Sequence, residues 1–365
     1  MIPILFFSSY GSLTRGGQKS LWYILRDLDR TLYRPVLLCQ EEGELTRKAA
    51  ELKIPVEILR VPPLRPVNFF TILSFAARLF ALARKYGIKI VHSEELKINL
   101  FLGPLRLFGG LKTIWHVRVL WDTPFQKRLS LLICDRVVCV SGAVAASFSG
   151  FLWGHKIVVI PNGIDAWEFY PSAGGFSFPG EDKTPLVGCI GSLLEHKGLH
   201  VLIEAAAMAL QKGPPFKLIL VGGGEKAYVD RLKALAADLE IGGRVVFWGE
   251  EADPRGLMGR MAVIAMPSLS GEGLSRSLLE AMAMAKPIVA SGLPQNAELI
   301  TDGETGLLSE TGSAADLSRQ LLRLLENREL GEKLGQNARK YVMEHHGLAA
   351  TMAAIHSLFA EFAKK

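Results

Sequence analysis

Short apolar runs punctuate the first half of the chain: Ile4 to Ser8, Pro35 to Cys39, Val56 to Val61, Ile88 to His92, Thr113 to Arg118, Asp135 to Ser141 and Lys156 to Pro161. Between several of them the apolar residues fall at helical spacing, over Lys19 to Leu28, Leu45 to Lys53 and Phe69 to Tyr86. Repeated alternation of strand and helix predicts a mainly parallel sheet with helices on both faces. Asn162-Gly163-Ile164-Asp165 then reads as a sharp turn, because Asn and Gly tolerate positive φ. Pro171 to Pro185 has the Gly, Pro and Ser content of a linker. A second series follows, with strands at Leu186 to Gly191, Phe216 to Val221, Val245 to Gly249, Val263 to Pro267 and Pro287 to Ser291. Helices are predicted at Leu199 to Gln211, Tyr228 to Leu239 and through Leu278, Leu279, Met282 and Ala283. Three amphipathic helices, Ala315 to Glu326, Glu329 to His346 and Leu348 to Ala363, close the chain. The expected architecture is α/β, two Rossmann-like doubly wound domains facing a central cleft, at residues 1–170 and 171–347.

Length and composition agree with that division. A chain of 365 residues exceeds a single domain of roughly 100–200. With 49% hydrophobic and 21% charged residues it has ample material for two cores. Cys39, Cys134, Cys139 and Cys189 sit in strand-like runs without zinc-ligand spacing, as buried thiols of a reducing compartment would. The first residues lack a basic leader, and no stretch reaches the roughly 18–20 apolar residues of a membrane span. A cytoplasmic protein, monomeric or weakly dimeric, is expected. Charge is uneven: residues 1–170 carry 22 basic and 13 acidic side chains, the remainder 20 and 23. A basic first half favours nucleic acid, an anionic membrane or an acidic small substrate. No interleaved basic and aromatic array or zinc-finger spacing selects nucleic acid.

Candidate chemistry lies in the loops after the strands. Gly271-Glu272-Gly273-Leu274-Ser275-Arg276 joins a predicted strand to a predicted helix, as in a βαβ crossover. Such a loop offers unpaired backbone N–H groups to an anion at a helix N-terminus. Glu280 lies too deep in the helix to cap it, and a sugar diol would give this carboxylate a partner. Ser9 to Gln18 repeats the arrangement after the first strand, with Gly16-Gly17 permitting close approach of a diphosphate; a flexible turn explains the pair equally. Lys197, in Gly191-Ser192-Leu193-Leu194-Glu195-His196-Lys197-Gly198, is placed to neutralise a leaving diphosphate or is simply a solvated lysine before a helix. Asp27-Leu28-Asp29 mimics a metal motif but closes an amphipathic helix, so no metal site is expected.

Glu272, seven residues, Glu280 and then Ala281-Met282-Ala283 resemble the donor-sugar signature of retaining GT-B glycosyltransferases, the group 1 or family 4 enzymes of lipopolysaccharide and capsule synthesis. Asn162-Gly163-Ile164-Asp165 is similar to the element that ends their first domain. The resemblance implies a GT-B fold whose last helix, 348–365, returns to the first domain. It implies transfer of a hexose from a nucleoside diphosphate-sugar to a glycan or lipid-linked hydroxyl, without metal or other cofactor. His116, Lys197 and Glu272 would be catalytic. Gly16, Gly17, Ser192, Gly222, Gly223, Gly273, Leu274, Ser275, Arg276 and Glu280 would bind the donor, and Arg15, Glu94 and Arg118 the acceptor. Ser192 departs from the family's usual arginine, so Lys197 acts with backbone amides alone, or Arg276 or Arg15 supplies the second positive charge. A nucleotide-sugar 2-epimerase of the same architecture and a nucleotide-binding protein without turnover are the rival readings.

Ten basic residues between Ile58 and Trp121 face only Glu94 and Glu95, and they surround the apolar helix Phe69 to Tyr86. An interfacial helix on the inner face of the cytoplasmic membrane is one reading. An ordinary core helix with solvated basic residues is the other.

Overall fold

The computed structural model describes residues 1–63, 65–120, 123–171 and 184–363. Most of the Pro171 to Pro185 linker lies outside them. The chain divides into two compact units, Met1–Asn162 with Ala349–Lys365, and Gly163–Leu348.

The first unit holds seven strands: β1 (Ile2–Ser8), β2 (Tyr33–Cys39), β3 (Val56–Ile58), β4 (Ile90–Ser93), β5 (Lys112–Val117), β6 (Arg136–Cys139) and β7 (Ile157–Val159). They pair in parallel in the order β3-β2-β1-β4-β5-β6-β7. Both faces are covered, which is why the strands are apolar without strict alternation. Leu5 and Phe7 pack with Phe75, Leu79 and Leu82 of the helix Phe69–Tyr86. On the other face Phe6 meets Phe359 of the helix Leu348–Ala363, with ring centroids 6.1 Å apart. The last helix is therefore part of the first unit.

The second unit holds β8 (Leu186–Ile190), β9 (Lys217–Val221), β10 (Val245–Gly249), β11 (Val263–Met266), β12 (Ile288–Ser291) and β13 (Leu307–Ser309). They too are parallel, in the order β10-β9-β8-β11-β12-β13. In each sheet the order reverses beside the first strand, between β1 and β4 and between β8 and β11. These are the positions where diverging loops leave a crevice at the carboxyl ends of the strands.

The division falls after Asn162 rather than at 170/171 for a visible reason. The N–H of Ile164 donates to the His346 carbonyl at 2.8 Å, and that of Leu348 to the Ile164 carbonyl at 3.0 Å. Residues just beyond the Asn-Gly turn thus belong to the second unit. Some elements have no counterpart in the sequence pattern. The helix Leu96–Gly109, which includes Gly103 and Pro104, is one of them. The helix Pro124–Ile133 and the three-residue β13 are others. Among the described residues no helix is long and apolar enough to cross a membrane.

Candidate functional site

Two polar clusters form where the strand order predicts ligands, one in each unit. In the second unit a small pocket opens at the ends of β8 and β11, lined by Gly191, Ser192, Lys197, Ser268, Ser275 and Ser277 among others. A glycine brings its two walls together. Gly198 has φ +67°, and a Cβ there would stand 2.1 Å from the Pro267 carbonyl oxygen. The N–H of Leu269 donates to the His196 carbonyl at 2.7 Å, tying the loop after β8 to the loop after β11.

That closeness places Lys197 against Glu272. The two side chains form an ion pair, and Glu272 also accepts a hydrogen bond from Ser268 Oγ at 2.8 Å. Glu272 is 8% exposed, so its charge needs these partners. Cys189 lines the same pocket, but burial pushes its thiol up to about 12, which keeps it a neutral wall residue. Ser275 begins the helix Arg276–Ala283, its hydroxyl accepting from the Leu278 N–H at 3.4 Å. A helix N-terminus thus faces the pocket and adds partial positive charge beside Lys197.

Deeper in that helix Arg276 pairs with Glu280 (Nε to Oε1 3.3 Å) with both side chains buried. The spacing is one helical turn, i to i+4. Arg276 Nη1 also donates to the Gly163 carbonyl at 3.2 Å. Its guanidinium therefore serves Glu280 and the backbone, and it is not among the residues lining the pocket.

The first unit gathers a second cluster at the ends of β1, β4 and β5. His92 stands opposite Ile114 in the β4–β5 register, so His116, two residues on, shares its face. The two rings are parallel within 8°, and His92 Nε2 lies 2.9 Å from His116 Nδ1. Burial, with the Arg118 charge, lowers His92 to about 3 and holds His116 well below the usual histidine range, so both rings are neutral. Arg118 is ion-paired with Glu94 and donates to Asn162 Oδ1 at 2.9 Å. Gln18 Nε2 donates to Glu94 Oε2 at 3.2 Å. A Cβ on Gly17 would come within 3.3 Å of the Arg118 side chain, so the glycine lets the helix Gly16–Asp27 start close against this pair.

Sequence comparison decides what these clusters belong to. Residues 14–168 match Glycosyltransferase Family 4, and residues 176–341 match Glycosyl transferases group 1. The chain belongs to this glycosyltransferase family. It is 30% identical over 227 residues to the lipopolysaccharide core biosynthesis glycosyltransferase LpsE of Rhizobium meliloti, covering 62% of this chain and 64% of that one. It is 31% identical over 204 residues to the phosphatidyl-myo-inositol mannosyltransferase of Mycobacterium tuberculosis, covering 53% of each. The match thus spans less than two thirds of either relative. Among solved structures, Anabaena HepE in complex with UDP and glucose superposes with a TM-score of 0.84 at 22% identity, covering 99% of this chain and 100% of that one. The fold is accordingly GT-B.

Within this GT-B chain the residues singled out by sequence fall into groups. Ser192, Lys197, Glu272 and Ser275 come together at the pocket of the second unit. Gly273 and Leu274 are buried in the loop between Glu272 and Ser275. Gly222 and Gly223 shape the neighbouring loop: a Cβ on Gly222 would lie 1.9 Å from the Gly191 carbonyl oxygen. Neither lines the pocket. In the first unit Gly17, Glu94, His116 and Arg118 converge, while Gly16 is exposed and Arg15 lies over the Tyr10 ring at 3.9 Å. Asp27 pairs with Arg26, and Asp29 caps its own turn through Thr31. Sequence reasoning missed Ser268, Ser277, Gln18 and Asn162. Hydroxyls and amides of this kind carry no spacing signal, and only the folded loops bring them to the clusters.

Proposed function

We propose that this protein is a retaining glycosyltransferase. It takes a hexose from a nucleoside diphosphate donor bound to the second unit and passes it to a hydroxyl of a glycan or lipid-linked acceptor. The observation that carries this reading is the Lys197–Glu272 pair at a serine-lined helix N-terminus. An incoming diphosphate competes with Glu272 for the ammonium, and Ser192, Ser268, Ser275 and Ser277 offer hydroxyl donors to its oxygens. As the sugar–phosphate bond breaks, negative charge grows on the leaving phosphate, and Lys197 with the helix N-terminus stabilises it there. The released Glu272 carboxylate can then accept from a sugar hydroxyl. Glu280 accepts from the nucleotide ribose. The leaving phosphate takes the acceptor proton, so no dedicated protein base and no metal is required.

The acceptor side works at an anionic membrane. On the helix Phe69–Tyr86, Phe69, Phe70 and Leu73 are exposed, and Val67 stands exposed just before it. Arg78, Arg84 and Lys85 are exposed along its later turns, with Lys85 also bonded to Glu57 at 2.7 Å. Exposed aromatic side chains followed by basic ones suit a helix lying in the headgroup region. Lipopolysaccharide and phosphatidyl-inositol in the relatives' names accord with a lipid-linked acceptor.

Incubation with a panel of nucleoside diphosphate sugars tests the reading. Slow release of free nucleoside diphosphate, faster with a lipid-linked acceptor and with the anomeric configuration kept in the product, is expected. An isomerised but intact sugar nucleotide would instead establish the epimerase, and binding without either change would establish a protein without turnover.

A further inference from the structure

Glycosyl transfer makes no use of a cavity of about 400 Å³ in the first unit, between the strand β3 and the helix Phe69–Tyr86. The strand contributes Glu57 and Ile58 to its lining, the helix Arg78, Ala81 and Lys85, and the buried Leu59 and Leu82 complete it. The volume lies within the roughly 300–1,000 Å³ of small-molecule sites. β3 is the last strand of its sheet and pairs only with β2, so no further strand closes this side.

The charges of this cavity are unequal. Arg78 and Lys85 are about two helical turns apart and so share one face of the helix. Glu57 is the only acid in the lining, and it accepts from Lys85 Nζ and Tyr86 Oη, each at 2.7 Å. Those two bonds hold its carboxyl below the usual carboxylate range, so its charge is already answered. Lys85 has three N–H donors and gives one to Glu57. Arg78 is exposed and has no hydrogen bond or ion pair among the described residues. The cavity thus offers a free guanidinium fork and further ammonium donors beside an apolar wall of Ile58, Leu59, Ala81 and Leu82. A phosphodiester matches both parts: two unesterified oxygens for the fork, and carbon on either side for the wall.

We infer that this cavity is a headgroup site for an anionic phospholipid, with Arg78 as bidentate donor to the phosphodiester and Lys85 as the second cation. The inference rests on the proposed contact of the helix Phe69–Tyr86 with an anionic membrane, and it adds a discrete site to a general attraction. Basic residues near a bilayer respond to its charge whatever group carries it. A fork inside a cavity responds to the shape of that group as well. The exposed Phe69 and Phe70, earlier on the same helix, would hold the cavity at headgroup depth. An extended acidic peptide added to β3 is the competing occupant. It is disfavoured because β3 offers only three residues to pair with and the exposed rings have no part in that mode.

The test pairs calorimetry on dihexanoyl phosphatidylglycerol, kept below its micelle concentration, with co-sedimentation on phosphatidylglycerol vesicles. It compares the wild type with Arg78→Gln, Ala81→Phe and Arg84→Gln. Ala81 is exposed, so a phenyl ring there fills the cavity without changing charge or core. Arg84→Gln removes an equal charge from the same helix at a residue that does not line the cavity. The wild type should bind the short-chain lipid saturably, and more tightly than glycerol phosphate, which leaves the apolar wall unfilled. Arg78→Gln and Ala81→Phe should each weaken that binding about tenfold or more, the size of one charge-assisted hydrogen bond. Arg84→Gln should leave it unchanged and lower only vesicle recovery. Thermal melting confirms that the variants compared are folded. Wild-type lipid affinity in Arg78→Gln or Ala81→Phe would overturn the inference while vesicle attachment left the membrane reading standing. Glycerol phosphate binding as tightly as the lipid would assign the cavity to a free phosphate ester, and tighter binding of hexaglutamate, lost in Ala81→Phe, would assign it to a peptide; either overturns the lipid site. Failure of the wild type to attach to anionic vesicles would remove the membrane reading, and the inference with it.

Discussion

Lys197 and Glu272, 75 residues apart in sequence, are ion-paired across two loops because Gly198 packs directly on the Pro267 carbonyl. The pocket therefore holds its anion-binding charge in a neutralised state before any ligand arrives. Substitution should separate the two partners' effects. Lys197→Met should weaken nucleoside diphosphate binding by about 1.5–3 kcal/mol, the range for hydrogen bonds to charged groups. Glu272→Gln keeps the acceptor for Ser268 Oγ and frees the ammonium, so diphosphate affinity should hold or rise while turnover falls. Calorimetry and steady-state kinetics on both variants check this. Equal loss of affinity in the two would contradict exchange of Lys197 between Glu272 and phosphate.

Gly198→Ala should disturb both fold and site. A left-handed φ costs an L-residue roughly 1–2 kcal/mol, and the added carbon also overlaps the Pro267 carbonyl. Thermal melting should register at least that loss, with weakened diphosphate binding in the fraction that stays folded. An unchanged melting temperature would show that the two loops part easily.

Glu280 has two tasks that a double substitution can distinguish. Its partner Arg276 is buried with it, and breaking a buried ion pair by removing one member costs about 3–5 kcal/mol. Glu280→Gln should therefore lower both stability and nucleotide affinity. Adding Arg276→Met should recover much of the stability while affinity stays low. Recovery of affinity together with stability would mean that Glu280 supports the fold and does not bind ribose.

Stability should depend on pH through the buried histidines. His92 is lowered to about 3 and His346 to about 4, both by burial, from an ordinary value of 6.5. Below pH 6.5 the unfolded chain binds protons that the folded chain refuses, so unfolding becomes easier as pH falls. Each such histidine contributes about 1.4 kcal/mol per pH unit between 6.5 and its folded value. Denaturant titrations should give a flat stability above pH 7 and a decline toward pH 5, shallower in His92→Gln. A flat response down to pH 5 would contradict neutral burial of the pair.

Much of the fold was legible because parallel strands covered on both faces are nearly continuous apolar runs, and helices such as Phe69–Tyr86 keep their period. The helix Leu96–Gly109 was not legible because Gly103-Pro104 interrupts its apolar run, while Ile98 and Leu102, buried in the core of the first unit, hold it by packing. The site was legible where a motif fixes spacing, as from Glu272 to Glu280. It was not legible where partners come from distant strands. Nothing in the sequence brings His92 within 2.9 Å of His116, whereas the i to i+4 spacing of Arg276 and Glu280 on one helix was a pairing signal open to sequence reading.

Membrane attachment should depend on charge and on the exposed rings together. The protein should co-sediment with vesicles containing anionic lipid and less so as salt rises, since each basic residue near such a surface contributes about 1 kcal/mol. Arg84→Glu with Lys85→Glu, and separately Phe69→Ser with Phe70→Ser, should each reduce recovery. Equal recovery on neutral and anionic vesicles would leave only a soluble acceptor.

Phosphorus NMR of a sugar nucleotide panel, with wild type and Lys197→Met side by side, tests the central claim most directly. For one donor the wild type should convert the diphosphate ester signals into those of free nucleoside diphosphate, with an equal amount of sugar appearing on acceptor or water. The variant should do so at least tenfold more slowly, as loss of about 1.4 kcal/mol of transition-state stabilisation requires. Intact diphosphate esters for every donor, or the same rate in both proteins, would contradict glycosyl transfer through the Lys197 pocket.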